Sequence, residues 1–182
     1  SYFGSRTKDL VVARGTWLAA LLVLQSASSV VLGRFEGLLQ RHLALALFLT
    51  MVTGTAGNAG NQTSALVIRG LATGEIRAGR DWRRVLWRET RVALPLSIAL
   101  GLAAFGRVVA VVQGRQAVRT AAVVACATSA TILAAILVGV GAPLLLDAAG
   151  VDPCNCASPA LATAVDLLGV VFLCITGQRL LK

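Results

Sequence analysis

The sequence MVTGTAGNAGNQTSALVIRG, residues 51–70, decides the class of fold because it places carboxamides and glycines inside a long uncharged run. The run extends over 43–68. A helix needs about 20 apolar residues to cross the hydrocarbon core of a membrane. A helix that faces only lipid has no use for carboxamide side chains, and a soluble core helix is rarely this long. The stretch therefore indicates a membrane-spanning helix with one polar face.

The rest of the chain has the same character. Hydrophobic residues make up 57% of it and charged residues only 14%, whereas soluble domains carry about 25% charged residues. The apolar runs extend over 15–33, 43–68, 92–106, 120–146 and 157–178. They are rich in Ala, Leu and Val and lack the alternation typical of membrane strands. We predict an all-α membrane protein with five transmembrane helices per chain.

Two connections carry specific expectations. The short run 92–106 is expected to lengthen toward Gln113, or back toward Arg88 and Arg91. The segment 69–91 is predicted as the connection between the second and third helices, and 147–156 as the loop before the fifth. Pro159 is then expected in the first turn of the fifth helix, where proline is common.

The distribution of basic residues predicts the orientation. The formal net charge is +9, which alone could indicate a nucleic-acid partner, but the arginines flank the apolar runs, so the expected partner is the lipid membrane and not a nucleic acid. One side then carries ten basic residues, listed here: Arg6, Lys8, Arg14, Arg69, Arg77, Arg80, Arg83, Arg84, Arg88 and Arg91. The opposite side carries seven: Arg34, Arg41, Arg107, Arg115, Arg119, Arg179 and Lys182.

The richer side is expected in the cytoplasm. Residues 1–16 are therefore predicted as a cytoplasmic amino-terminal remainder and 17–182 as a five-helix transmembrane pore domain. The expected location is the plasma (inner) membrane. Because the chain begins at Ser1 rather than Met, we also expect a soluble domain to precede it.

Asp166 is the one acidic residue in the middle of an apolar run. A carboxylate at that depth costs about 2.5–3.5 kcal/mol on insertion scales, and ionisable residues of this kind usually mark ion pathways. The alternative is a structural Asp held by neighbouring hydroxyls or an Arg, but no Arg or Lys is predicted at its depth. We interpret Asp166 as a cation site.

The opening stretch supports a hydrated path beside that site. Asn58, Asn61 and Gln62 stand at i, i+3 and i+4, so a helix presents all three on one face. The alternative is a packing seam, in which Gly54, Gly57 and Gly60 allow close approach of another helix. Glycines alone would support only that seam, whereas carboxamides offer donors and acceptors to water.

Two motifs together resemble the transmembrane domain of the MgtE magnesium channels and the related eukaryotic magnesium solute carriers. They are GTAGNAGNQTSALVIRGLATGEI with the following DWRRVLWRE, and VDPCNCASPALATAVDLLGVVFL. The similarity extends from about Trp17 to Leu181. It implies a homodimer with five helices per subunit and an ion path at the two-fold axis, between the second and fifth helices.

The resemblance also implies roles for particular residues. Asp166 would be the central ion-binding carboxylate, with the main-chain carbonyl of Ala162 beside it and Asn58 on the pore side of the second helix. Further positions that would line the pore are Gly54, Gly57, Asn61, Gln62, Thr163 and Ser158. Family members often have Asn where this chain has Ser158, and many bacterial relatives carry an amino-terminal regulatory region that these residues do not contain.

The chemistry agrees with Mg²⁺ as the transported ion. Two chains meeting on an axis supply two Asp166 carboxylates, which match the charge of a divalent cation. Mg²⁺ keeps several of its waters and is usually held through one or two carboxylates. We predict channel-like permeation of hydrated Mg²⁺, as a transported ion and not a catalytic cofactor.

Three alternatives remain at this point. The first is a transporter that exchanges Mg²⁺ for Na⁺ or H⁺. The second is an intramembrane enzyme, which would need a nucleophile with its base or a metal constellation; His42 at the outer edge and one buried Asp provide neither, so no enzymatic activity is predicted. The third is a purely structural bundle, in which Asp166 can be neutralised without loss of ion movement.

Overall fold

Helices make up nearly all of the chain that the structure describes. The computed structural model describes residues 6–181, which form six α-helices. They are α1 (Thr7–Arg34), α2 (Glu36–Arg41), α3 (Leu43–Ala72), α4 (Ala78–Val111), α5 (Ala117–Ala148) and α6 (Pro153–Leu180). Within the described residues, five helices are long and apolar enough to cross a membrane, which confirms the predicted fold class. The predicted second and fifth spanning helices correspond to α3 and α6.

α4 extends the short apolar run 92–106 at both ends. It begins at Ala78 and ends at Val111, so most of segment 69–91 is helical, and the prediction of a long connection there is wrong. Asp81 stabilises the beginning of α4, because its Oδ2 accepts a hydrogen bond from the main-chain N–H of Arg77 at 3.0 Å. A helix of 34 residues is about 51 Å long. Its arginine-rich turns can therefore lie outside a hydrocarbon core of about 30 Å.

α6 begins earlier than the sequence predicts. Its first residue is Pro153, so residues 153–156 are helical, and the prediction that they belong to the loop 147–156 is wrong. Asp152 caps the helix by accepting a hydrogen bond from the main-chain N–H of Cys154 at 2.9 Å. Pro153 lies in the first turn, where its missing N–H is not needed. Pro159 consequently lies inside the helix and not, as predicted, in its first turn.

α5 is the central helix of the bundle and packs against α3, α4 and α6. Small residues bring these helices close together. Gly139 of α5 lies against the carbonyl oxygen of Gly60 of α3, since a Cβ at Gly139 would be 2.5 Å from that atom. On the α4 side, Gly101 packs on Ser129, whose hydroxyl donates to the carbonyl of Ser97 at 2.9 Å. Close backbone approach of this kind is how helices associate in lipid, where burial of apolar surface gives little driving force.

α1 lies at the edge of the bundle. It packs mainly along α6, with a small contact to α2. Leu22, Val23 and Leu24 are exposed, as are most residues of its apolar run. A surface of this kind suits lipid, so the order across this side of the molecule is α1, α6 and then α3, with α5 behind α6 and α3.

Candidate cation site

α3 has two faces with different chemistry. The face toward α5 is buried and consists of small residues such as Ala56, Ala59 and Gly60. A Cβ at Gly60 would lie 2.9 Å from the carbonyl oxygen of Ala135, so this glycine is required by the crossing with α5. At Gly54 and Gly57 a Cβ would meet no atom within 4 Å. The packing-seam interpretation therefore holds for Gly60 but not, within this chain, for the other two glycines.

The other face of α3 carries the carboxamides. Gly54, Asn58 and Gln62 follow one another at intervals of four residues, and all three are exposed. Asn61, half-buried, belongs to the edge of this face, and its Oδ1 accepts a hydrogen bond from the Ser158 hydroxyl at 3.0 Å. One of the three carboxamides thus joins α3 to α6, while two project outward from the middle of a membrane-spanning helix.

On α6 the corresponding face contains Ser158, Ala162 and Asp166. Their spacing of four residues places them above one another along the helix. Ser158 and Ala162 are exposed and Asp166 is half-buried. Further along α6, Gly169 packs on Thr53 of α3, because a Cβ there would lie 2.5 Å from the Thr53 Cγ2. α3 and α6 therefore lie side by side, in contact at Ser158 and again near Gly169.

Asp166 has a hydrogen-bond partner that the sequence analysis missed. Nε2 of Gln25, in α1, donates to Oδ2 of Asp166 at 2.7 Å. Gln25 is the only carboxamide in the apolar run 15–33, and that isolation is the signal that could have identified it. The Asp166 carboxylate is thus oriented by α1, and the amide donor leaves its Oδ1 available to another ligand.

The remaining predicted positions are bonded within α6. The Thr163 hydroxyl donates to the carbonyl oxygen of Pro159 at 3.2 Å, so its proton is used inside the helix. In an uninterrupted α-helix the carbonyl of Ala162 accepts from the N–H of Asp166, four residues on. Its second lone pair remains free. Such a carbonyl suits the outer contact to a water bound by a cation better than direct coordination.

One chain supplies few strong ligands for a cation. Among the described residues, no group of three or more His, Cys, Asp and Glu side chains comes together. A cavity of about 370 Å³ lies between the end of α3 and the beginning of α4, away from Asp166. Its charged lining residues are Arg69, Glu75, Asp81, Arg84, Arg88 and Glu89. None of the predicted site residues lines this cavity.

The sequence of this chain is similar to the sequences of known proteins of one family. The family model MgtE, a divalent cation transporter, matches residues 49–176, which is more than half of the chain. The magnesium transporter MgtE of Thermus thermophilus is 35% identical over 173 residues, covering 95% of this chain and 37% of the relative. The magnesium transporters MgtE of Bacillus subtilis and Enterococcus faecalis are each 30% identical, covering 91% and 85% of this chain and 36% and 33% of the relatives. The chain thus spans about a third of the length of these relatives. Its own matched region includes both the carboxamide face of α3 and the Asp166 face of α6, and the chain belongs to the MgtE family of divalent cation transporters.

Proposed function

We propose that two copies of this chain form a symmetric, channel-like path for hydrated Mg²⁺, with the two Asp166 carboxylates holding the ion on the dimer axis. The observation that carries the proposal is the open polar surface formed by α3 and α6. The Ser158 hydroxyl of α6 donates a hydrogen bond to Asn61 of α3. Asp166 lies two turns further along the same face of α6. The relatives named as magnesium transporters support the choice of ion.

The exposed carboxamides argue for a partner across this surface. Asn58 and Gln62 lie within a spanning helix and are exposed in the single chain. A polar group that faces hydrocarbon without a hydrogen-bond partner costs several kcal/mol, so such groups line water or protein. A second copy placed on this face would enclose a water-filled path between the two α3–α6 surfaces.

The ligand set argues for a hydrated ion. One chain brings a single carboxylate to the site, and two chains related by a two-fold axis bring two, which balance a divalent charge. Mg²⁺ releases its waters reluctantly and is commonly held by one or two carboxylates. The carboxamide oxygens of α3 and the Ala162 carbonyl then accept hydrogen bonds from water bound to the ion.

The same arrangement suggests how the protein lies in its membrane. The arginine-rich beginning of α4 lies at the same end of the bundle as the amino terminus of α6. We place this end in the cytoplasm, in line with the excess of basic residues there, and the protein in the plasma membrane.

The experiment is Mg²⁺ flux into liposomes that contain the purified chain. Asp166→Asn preserves the size of the side chain and its bond from Gln25 but removes the charge, so we expect flux to fall at least about tenfold, as for loss of a charge-assisted interaction. Asn58→Ala should act more weakly, because an amide that contacts the ion through water contributes less than a charge. Flux that persists without Na⁺ or a pH gradient identifies a channel-like path rather than an exchanger.

The matched control is Asp147→Asn, which neutralises an exposed carboxylate at the end of α5. It should transport at the wild-type rate. If folded Asp166→Asn protein carries Mg²⁺ as fast as this control, Asp166 is not the central site and the proposal is wrong.

A further inference from the structure

We propose that Gln25 of α1 is a positioning residue for the cation site, so that α1 forms a functional wall of the path and not only a lipid-facing anchor. This inference rests on the proposed role of Asp166 as the central carboxylate. The family model matches residues 49–176, and α1 ends before that region begins.

The contact itself is specific. Nε2 of Gln25 lies 2.7 Å from Oδ2 of Asp166, which is the length of a strong charge-assisted hydrogen bond. Both side chains are half-buried and 141 residues apart in sequence. The bond therefore joins α1 to the middle of α6, at the one carboxylate placed deep in the apolar spans.

The position of α1 at the edge of the bundle leaves it few neighbours other than α6. α6 is the main neighbour of α1. Leu22, Val23 and Leu24 beside Gln25 are exposed, whereas Leu21, one turn before Gln25, is buried. The Thr16 hydroxyl, by contrast, bonds to the Val12 carbonyl within α1 and joins no other helix. Gln25 instead bonds to the proposed ion ligand.

The chemistry gives the bond a function. The amide donor occupies Oδ2 and restricts rotation of the carboxylate, so Oδ1 is held in one direction. Since a site for a hydrated ion depends on the direction of its few acceptors, restricting Asp166 lowers the entropic cost of binding.

Four variants test the role of Gln25. Gln25→Met keeps an unbranched side chain of similar length and removes the donor. Gln40→Met is the matched control, because Gln40 Nε2 makes the same type of bond, to Glu36 Oε1 at 2.9 Å, in the short helix α2. Ser28→Ala controls for packing on α1, since the buried Ser28 hydroxyl has no hydrogen-bond partner. Gln25→Glu replaces the donor with a second acceptor and adds a charge.

Two quantities are measured for each folded variant: the Mg²⁺ concentration that half-saturates flux, and the concentration that gives half of the Mg²⁺-induced rise in Tm. For Gln25→Met we expect both to rise about tenfold, as for loss of one hydrogen bond to a charged group, with the maximal rate changed much less. For Gln25→Glu we expect both to fall and the maximal rate to fall with them, because the added charge slows release. The two control variants should match wild type.

A purely structural role predicts a different pattern. Gln25→Met would then lower the amount of folded protein or its maximal rate without changing the half-saturating concentration; that result overturns the proposal. If only Gln25→Met fails to fold, a wild-type half-saturating concentration in Gln25→Glu overturns it equally. Asp166→Asn separates the two hypotheses. If Asp166→Asn is inactive and the Gln25 variants keep the wild-type half-saturating concentration, only the positioning role is contradicted. If Asp166→Asn is fully active, the proposed function itself is contradicted.

Discussion

At the scale of single residues, Asp166 can hold Mg²⁺ in two ways, either directly or through the water shell of the ion. Direct coordination in a dehydrating site needs about six oxygen ligands. The described residues around Asp166 offer a single carboxylate. The neighbouring oxygens on α6, those of the Ala162 carbonyl and the Thr163 hydroxyl, are uncharged and take part in bonds within the helix. The few available oxygens therefore favour recognition through water.

Hexaamminecobalt(III) tests this interpretation. The complex resembles hexahydrated Mg²⁺ in size and donor geometry, but its ligands do not exchange during the experiment. We expect it to inhibit Mg²⁺ flux competitively in the wild-type protein and to lose potency in Asp166→Asn. Flux assays with increasing concentrations of the complex measure both effects.

The complex should be applied from each side of the membrane in turn. On the proposed outer face its +3 charge is repelled by Arg34, Arg41 and Arg107, and Glu36 offsets part of this repulsion. Normal Mg²⁺ flux without inhibition from either side would show that the protein coordinates the metal directly, and the hydrated-ion mechanism would then be wrong.

At the scale of helices, the crossing of α3 and α5 determines where the carboxamide face points. Gly60 and Gly139 lie in contact at this crossing, and the backbone of each occupies the space that a side chain of the other would need. α3 can therefore place Asn58 and Gln62 on its far side only while its small face remains against α5.

Gly139→Ala should disrupt this crossing. The new methyl group would lie 2.5 Å from the Gly60 carbonyl oxygen, which is main chain and cannot rotate away. We expect the free energy of unfolding in detergent to fall by about 1–3 kcal/mol, the usual effect of overpacking. Thermal or denaturant unfolding of the purified protein measures this change.

Gly141→Ala provides the control, because it changes the same residue type two positions further along α5, where a Cβ meets nothing within 4 Å. Alanine favours a helix over glycine by about 1 kcal/mol, so Gly141→Ala should be neutral or stabilising. Equal stability of the two variants would show that the close α3–α5 contact is unimportant.

At the scale of the whole molecule, the single chain leaves a polar surface open in the middle of the bundle. The surface contains Asn58 and Gln62 of α3 and Ser158 and Ala162 of α6, all exposed. The apolar outer side of α1 suits lipid, but this surface does not. A second copy related by a two-fold axis would cover it with an identical surface.

We therefore expect the purified protein to be a homodimer in detergent, with both chains needed for transport. Mass measurement of the detergent complex gives the number of chains. Reconstitution at less than one copy per vesicle then shows whether a single chain transports Mg²⁺. A monomer that transports would contradict both the dimer and the shared pair of carboxylates.

Features that depend on local composition can be derived from the amino-acid sequence. The five spans follow from runs of apolar residues, because a helix in hydrocarbon must satisfy its own backbone hydrogen bonds wherever its neighbours lie. The predicted depth of Asp166 follows from its position in the apolar run 157–178, and the predicted common face of Asn58, Asn61 and Gln62 follows from helical periodicity. The family could likewise be recognised from its motifs, and the family match confirms it.

Which of these residues are in contact depends on how the helices pack against one another. The bond between Gln25 and Asp166 joins positions 141 residues apart, and no periodicity within one helix predicts a contact with another. The same holds for glycine, since Gly54, Gly57 and Gly60 look alike in the sequence while only Gly60 lies against a neighbouring backbone. Helix ends also depended on local bonds that composition does not show: the Asp152 cap begins α6 at Pro153. Contacts between helices are set by packing across the bundle, so their partners become known only when the helices are placed together.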